Sequence, residues 1–259
     1  MNRDAYLNRI GYTGSLAPTA ATLAALHLAH LRTVPFENLD IALGRPIRLD
    51  RPSLYAKIVT RRRGGFCYEL NGLFAWLLEG LGYAVDRLAA GVARQDGGFG
   101  PPFDHLTLRV RGPDDPTAWL ADVGFGDSFL NPLHLDTPNE QSDGGRAYRL
   151  DRDGDARVLW QRDFDGAWTP QHRFDLTAHQ LTEYEPMCVY HQTSPQSSFT
   201  RRRVCTLATV EGRVTLADGR LITTRGGERE ERPVAEGQRA AVLRDVFGVS
   251  LGDEAVATR

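Results

Sequence analysis

Three residues of this chain combine into a nucleophilic site on type and placement alone: Cys67, His105 and Asp122. Cys67 follows Arg63-Gly64-Gly65-Phe66 and opens an apolar run with helical spacing, Leu70, Leu73, Phe74, Leu77, Leu78 and Leu81. A cysteine on the first turn of a helix meets unpaired N–H groups and partial positive charge, which favour a thiolate and later an oxyanion. The two glycines permit a sharp turn and a close approach to the backbone. A thiol needs a base or a cationic partner to act at neutral pH. His105 can serve, at the start of an alternating strand behind a Gly/Pro-rich loop. The imidazole in turn needs an orienting carboxylate. Asp122 lies within the apolar run Leu120 to Val123, just before Gly124-Phe125-Gly126, where an unpaired carboxylate would be costly. Such a trio performs acyl transfer or hydrolysis through a thioester. Taken singly, each residue has a plainer role: a buried structural thiol, a satisfied strand-end histidine, a turn cap. Glu69 faces elsewhere on the helix and is expected to serve as a salt bridge or cap.

The elements that must position these residues follow from periodicity. A short helix over residues 4–12 is capped by Asp4. A second, opened by Pro18, carries Leu23, Leu26, Leu28 and Leu31 and stops near Val34-Pro35. Phe36-Glu37-Asn38-Leu39 reads as a turn anchored in a core. Ser53 caps a third helix that runs into Arg61-Arg62-Arg63. From residue 83 the period changes to that of strands. Residues 105–110 put Leu106, Leu108 and Val110 on one face and His105, Thr107 and Arg109 on the other. With 117–123 they form a hairpin that brings 105 and 122 to one end. Strand patterns at 146–150, 156–163 and 167–174, separated by Asp-Gly turns, extend this into a mainly antiparallel sheet or barrel. Beyond residue 186 come a polar stretch at 187–200, strands at 203–210, 213–217 and 220–224, and a last helix at 234–247. The charge runs 61–63, 201–203 and 227–232 read as solvated faces. The fold class is α+β, with a helical part at 1–86 carrying Cys67, a barrel at 87–186 carrying His105 and Asp122, and an α/β lid at 187–259.

Composition sets the outer limits. The 259 residues are 41% hydrophobic and 25% charged, as in ordinary globular chains. A net charge of −2 gives no field to recruit nucleic acid or an anionic membrane. Three scattered cysteines at 67, 188 and 205, with no apolar leader, fit a cytoplasmic setting. No CxxC pair, Walker loop or GxGxxG follows, so no metal and no nucleotide cradle of those kinds is expected.

Several motifs carry a family resemblance. Arg63-Gly64-Gly65-Phe66-Cys67-Tyr68-Glu69-Leu70-Asn71 resembles the active-site signature of the arylamine N-acetyltransferases. So do Tyr6-Leu7-Asn8-Arg9-Ile10-Gly11-Tyr12, Val34-Pro35-Phe36-Glu37-Asn38-Leu39-Asp40, Asp122-Val123-Gly124-Phe125-Gly126 and the segment from Ser194-Pro195 to Phe199. The resemblance implies a helical bundle, a central antiparallel β-barrel and an α/β lid around a catalytic core like that of cysteine proteases. It implies that acetyl-CoA acetylates Cys67. An arylamine, arylhydrazine or N-hydroxyarylamine then takes the acetyl group in a ping-pong cycle, a role in xenobiotic metabolism. By position, His105 is the base, Asp122 the orienter and the Tyr68 N–H an oxyanion donor. Phe36, Tyr68, Val92, Phe125 and Phe199 line the acceptor pocket, and Gly124 and Gly126 face CoA. Leu70 stands where the family commonly has a polar residue, and Asp104 occupies a place where the family often has threonine. A macrolactam-forming amide synthase on a carrier-bound polyketide, a transglutaminase-like cysteine hydrolase and a non-enzymatic interaction domain are the competing readings. Homo-oligomerisation is left open.

Overall fold

The computed structural model describes residues 1–164 and 166–252. The N-terminal part holds five helices: α1 (Arg3–Arg9), α2 (Ala20–Thr33), α3 (Leu39–Ala42), α4 (Arg51–Tyr55) and α5 (Cys67–Leu81). The caps differ from two expectations. Asn2, not Asp4, caps α1, because its side chain lies outside the helix and accepts the N–H groups of Asp4 and Ala5. Asp50, not Ser53, caps α4; the Ser53 N–H is its donor. A π-helical turn, Ala56–Thr60, continues α4. Helix α5 is buried on nearly all sides, with α1 and α4 packed against it on one side and sheet on the other. It stops at Gly82, whose φ of +98° belongs to the left-handed region.

Strand β1 (Phe36–Glu37) lies between α2 and α3. After α5 come β2 (Ala84–Val92), β3 (His105–Arg111), β4 (Trp119–Ala121), β5 (Leu133–His134), β6 (Gln141–Asp143), β7 (Arg146–Asp153), β8 (Ala156–Arg162) and β9 (Trp168–His179). These eight form one antiparallel sheet in the order β5-β4-β3-β2-β9-β8-β7-β6. The sheet curls into the expected barrel. Its outer strands meet through a side chain: Gln141 accepts the His134 N–H at 2.7 Å and donates to the His134 carbonyl at 3.0 Å. Inside sit Leu88, Leu120, Phe129, Tyr148, Leu159 and Phe174. Leu106, Leu108 and Val110 point the other way, into the core shared with α5, as the alternation predicts.

The polar stretch at 187–200 is not a plain connection. It contains α6 (Glu185–Thr193) and α7 (Ser198–Arg201), whose few buried residues, Cys188 and His191 among them, leave no apolar periodicity to read. A second sheet, β1-β10-β11-β12-β13, follows, with β10 (Val204–Ala208), β11 (Gly212–Ala217), β12 (Arg220–Arg225) and β13 (Glu228–Pro233), covered by α8 (Glu236–Phe247). Phe36 and Glu37 thus become a strand by pairing with Thr206 and Cys205, a contact no local pattern announces. Strand β13 is exposed throughout, and its Glu-Arg-Glu-Glu-Arg run charges the free edge against further pairing. No helix among the described residues is long and apolar enough to cross a membrane.

Candidate active site

Cys67 is the first residue of α5, 3% exposed. The N–H groups of Glu69 and Leu70 bond back to the Phe66 carbonyl, and the first-turn N–H of Tyr68 has no intrahelical acceptor. One turn on, Asn71 occupies the same helix face. Its side-chain amide donates to the Leu106 carbonyl at 2.6 Å and to Asp122 Oδ1 at 2.8 Å, and its carbonyl accepts the Val123 N–H. Asp122 therefore sits over the start of α5. Its other oxygen, Oδ2, accepts a 2.6 Å bond from His105 Nε2, and the Gly124 N–H closes on Oδ1 at 2.9 Å. Both carboxylate oxygens are filled. With Nε2 committed, Nδ1 is the ring nitrogen of His105 left to serve a thiol. The Asp122 backbone is fixed from behind by His27 of α2, whose Nε2 accepts its N–H while Nδ1 donates to the Leu130 carbonyl. The hairpin thus brings 105 and 122 together, and Asn71 and Gly124 tie Asp122 to the first turn of α5, where Cys67 stands.

The electrostatics follow from burial. Removal from water pushes the Asp122 carboxyl up, but the His105 contact and the Asn71 hydrogen bond outweigh it and hold it at about 2. Burial pushes the Cys67 thiol well up, offset in part by a backbone hydrogen bond from Leu106. A thiol acts as a nucleophile only once its proton has passed to a neighbour. His172, on β9 opposite Val92, packs its ring 5.2 Å from that of His105, and burial drives it down to about 3. It stays neutral beside His105. Ligand atoms of His105, Asp122 and His172 lie within 4.8 Å of one another. A metal ion could be held there only by giving up the His105–Asp122 hydrogen bond.

The other expected residues surround this centre. Phe199 packs its ring 6.2 Å from Phe36 and 5.6 Å from Phe66, and Phe66 meets Tyr68 edge-on at 5.0 Å. Phe125 stands edge-on to His105 at 5.1 Å and beside His172. Val92 pairs with His172 across β2 and β9. Phe36, Val92, Phe125 and Phe199 are each half-buried, as walls of an accessible site would be, whereas Tyr68 is fully buried with its hydroxyl bonded to the Phe103 carbonyl. The two glycines differ. A Cβ on Gly124 would lie 2.8 Å from Cys67 Cα and 2.8 Å from Asn71 Nδ2, so its close approach is to the nucleophile's own helix. Gly126 is half-buried with φ +94°, and its nearest neighbours are the Phe36 ring and Thr206.

The chain is similar to known proteins along almost its whole length. A family model described as N-acetyltransferase matches residues 19–256. The arylamine N-acetyltransferase of Mycolicibacterium smegmatis is 37% identical over 258 residues, 98% of this chain and 94% of its own length. The chain belongs to the arylamine N-acetyltransferase family. The Escherichia coli arylamine N-acetyltransferase is 35% identical over 96% of this chain and 89% of its own length. The structure of the Mycobacterium marinum arylamine N-acetyltransferase in complex with CoA superposes with a TM-score of 0.91 at 33% identity, covering 98% of this chain and 95% of that one.

In this arylamine N-acetyltransferase chain the start of α5 rests on buried charge. Lys57 Nζ reaches Glu69 Oε1 at 2.8 Å and Asp40 Oδ2 at 2.9 Å, and Arg63 reaches Glu37 at 2.8 Å and Asp40 Oδ1 at 3.0 Å. Arg63 is therefore not part of a solvated face; only Arg61 and Arg62 of that run are exposed. Glu69 also accepts the Phe66 N–H, so it is both ion pair and cap, as its place on the helix predicts. Three residues of the site carried no expectation: Asn71, His27 and His172. Asn71 had a usable signal, four residues after Cys67 on one helix face. His27 and His172 come from elements 95 and 50 residues distant from Asp122 and have none.

Proposed function

We propose that this chain transfers the acetyl group of acetyl-CoA to arylamines, arylhydrazines and N-hydroxyarylamines by way of an acetyl thioester on Cys67. The observation that carries this reading is the 2.6 Å His105–Asp122 bond, set over the first turn of α5 where Cys67 stands. In the first half-reaction His105 Nδ1 takes the Cys67 proton as sulfur attacks the acetyl carbonyl. The Tyr68 N–H, with the helix N-terminus behind it, holds the oxyanion. Asp122 stabilises the imidazolium without taking its proton. The C–S bond to CoA then breaks, and the leaving thiolate receives the proton from His105. In the second half an arylamine attacks the thioester, His105 removes its extra proton, and the Cys67 thiolate departs and is reprotonated. Phe36, Val92, Phe125 and Phe199 offer a flat aromatic amine the apolar walls it needs. Gly126 lies at the half-buried edge where CoA would pass, and Gly124 keeps the Cys67 backbone in place beneath it.

Steady-state kinetics test the order of steps. Acetyl-CoA and an arylamine varied together are expected to give parallel double-reciprocal lines with the free acetyl donor alone. Intersecting lines, or turnover only with a carrier-bound acyl group, would contradict the proposal and favour direct transfer or amide synthesis. Acetyl-CoA consumption unaffected by any amine would favour the hydrolase.

A further inference from the structure

The loop that leads into His105 is strained and braced. Phe103 has φ +68°, a left-handed conformation that a bulky L residue rarely adopts. The Tyr68 hydroxyl donates to its carbonyl at 2.6 Å, and the rings of His179 and Tyr184 pack on its side chain. The next residue, Asp104, spans two walls of the site. Its Oδ2 accepts the Val92 N–H of β2 at 3.3 Å. Its Oδ1 and its backbone carbonyl both face Nε2 of His191 on α6, each at 3.3 Å. Since Nε2 faces only acceptors, it carries a proton in either charge state of the ring. His191 Nδ1 meets the Ser197 hydroxyl at 3.1 Å, and that oxygen accepts the Phe199 N–H at 3.2 Å. The imidazole itself stands edge-on to Phe199 at 5.1 Å. His191 is buried, and nothing in its helix calls for a polar side chain there.

We propose that Asp104 and His191 form a crossbeam that sets the spacing between Val92 on the barrel and Phe199 on the α6–α7 segment, so that His191 is a positioning residue for acceptor binding. The inference rests on the acetyl-transfer reading above. His105 itself is held independently, by Asp122 and by its pairing with Ala90 in the sheet. Loss of the crossbeam therefore falls on the acceptor step and spares the donor step.

The experiment compares wild type, His191→Phe and His191→Gln. Phenylalanine keeps the ring packing and removes the contacts of both ring nitrogens, to Asp104 and to Ser197; glutamine restores an N–H at the Nε2 position. Each protein is first exposed to acetyl-CoA alone and the rate of Cys67 acetylation is read by mass spectrometry, then KM for aniline and for an arylhydrazine is measured. In His191→Phe the acceptor KM is expected to rise about tenfold or more while Cys67 acetylation stays within about threefold of wild type. Glutamine is expected to recover most of the loss. An unchanged acceptor KM in His191→Phe overturns the crossbeam, and so does a glutamine variant no better than phenylalanine. Variants that fail to acetylate at all, beside a wild type that does, show a general structural role and overturn it too. A wild type that takes no acetyl group sinks the acetyl-transfer reading itself, and this is seen before any variant is compared.

Discussion

Asp122→Asn is expected to lower kcat/KM for acetyl-CoA by about three to four orders of magnitude with the fold intact. The carboxylate has two jobs that an amide cannot share. Oδ2 accepts the Nε2–H of His105, which leaves Nδ1 as the basic nitrogen, and its charge stabilises the imidazolium formed when Cys67 ionises. An amide nitrogen at Oδ2 would face an N–H donor and favour the wrong tautomer. Oδ1 would still accept from Asn71 and Gly124, so the surroundings can be kept. The need for the imidazolium is severe because burial raises the Cys67 thiol well above its ordinary range. The same linkage has a stability consequence. Asp122 is depressed from 3.8 to about 2 in the fold, so the stabilisation it brings is present above pH 4 and is lost as the pH falls through about 2. Asparagine removes that acid-sensitive component, and acid titration of wild type and variant, followed by circular dichroism, reads it. Near-wild-type turnover in Asp122→Asn would contradict the assigned role.

Lys57→Met is expected to be the most damaging substitution outside the reacting groups, at about 3–5 kcal/mol of stability, or on the order of 10 °C in melting temperature. Lys57 is buried, and its ammonium is shared by Asp40 and Glu69. Removing it leaves two buried carboxylates with Arg63 alone to offset them and Glu37. Glu69 already stands raised to about 6 by burial, against the pull of Lys57. A carboxyl raised in the fold favours folding at low pH and loses that contribution as the pH rises through its folded value. Without Lys57 the group is raised further, so the deficit of the variant is expected to be larger at pH 8 than at pH 5. Because Glu69 also holds the Phe66 N–H, acetylation of Cys67 should slow as well. Thermal melts at the two pH values check this; an equal deficit at both, or none, would contradict it.

The parts of this molecule that could be read from sequence are those fixed by local pattern. The helix from Cys67 to Leu81 announces itself by apolar spacing, and the alternation from His105 to Val110 places Leu106, Leu108 and Val110 in the core and leaves His105 at the strand start. Glu69 could be assigned to capping from its place on the first turn. What escaped depends on partners far along the chain. Phe36 and Glu37 make a strand of two residues, held by Thr206 and Cys205 on one side and bridged to Gly65 on the other, none of them local in sequence. Arg63 looks like the end of a basic run, and its burial follows from Glu37 and Asp40, which have no sequence mark of their own. The helix Glu185–Thr193 buries too few apolar residues to show a period. Strand β13 has the composition of a solvated segment and is exposed throughout, so only its pairing with β12 makes it a strand. His27 and His172 are set by tertiary packing around Asp122 and His105, where the α2 helix and the far side of the barrel converge.

The most direct measurement is peptide mass spectrometry after brief exposure of the protein to acetyl-CoA without acceptor. One acetyl group on the peptide containing Cys67, absent from Cys188 and Cys205 and discharged on addition of an arylhydrazine, is the predicted result. No adduct on Cys67, with acetylated product still formed when the arylhydrazine is supplied together with acetyl-CoA, would contradict the thioester account.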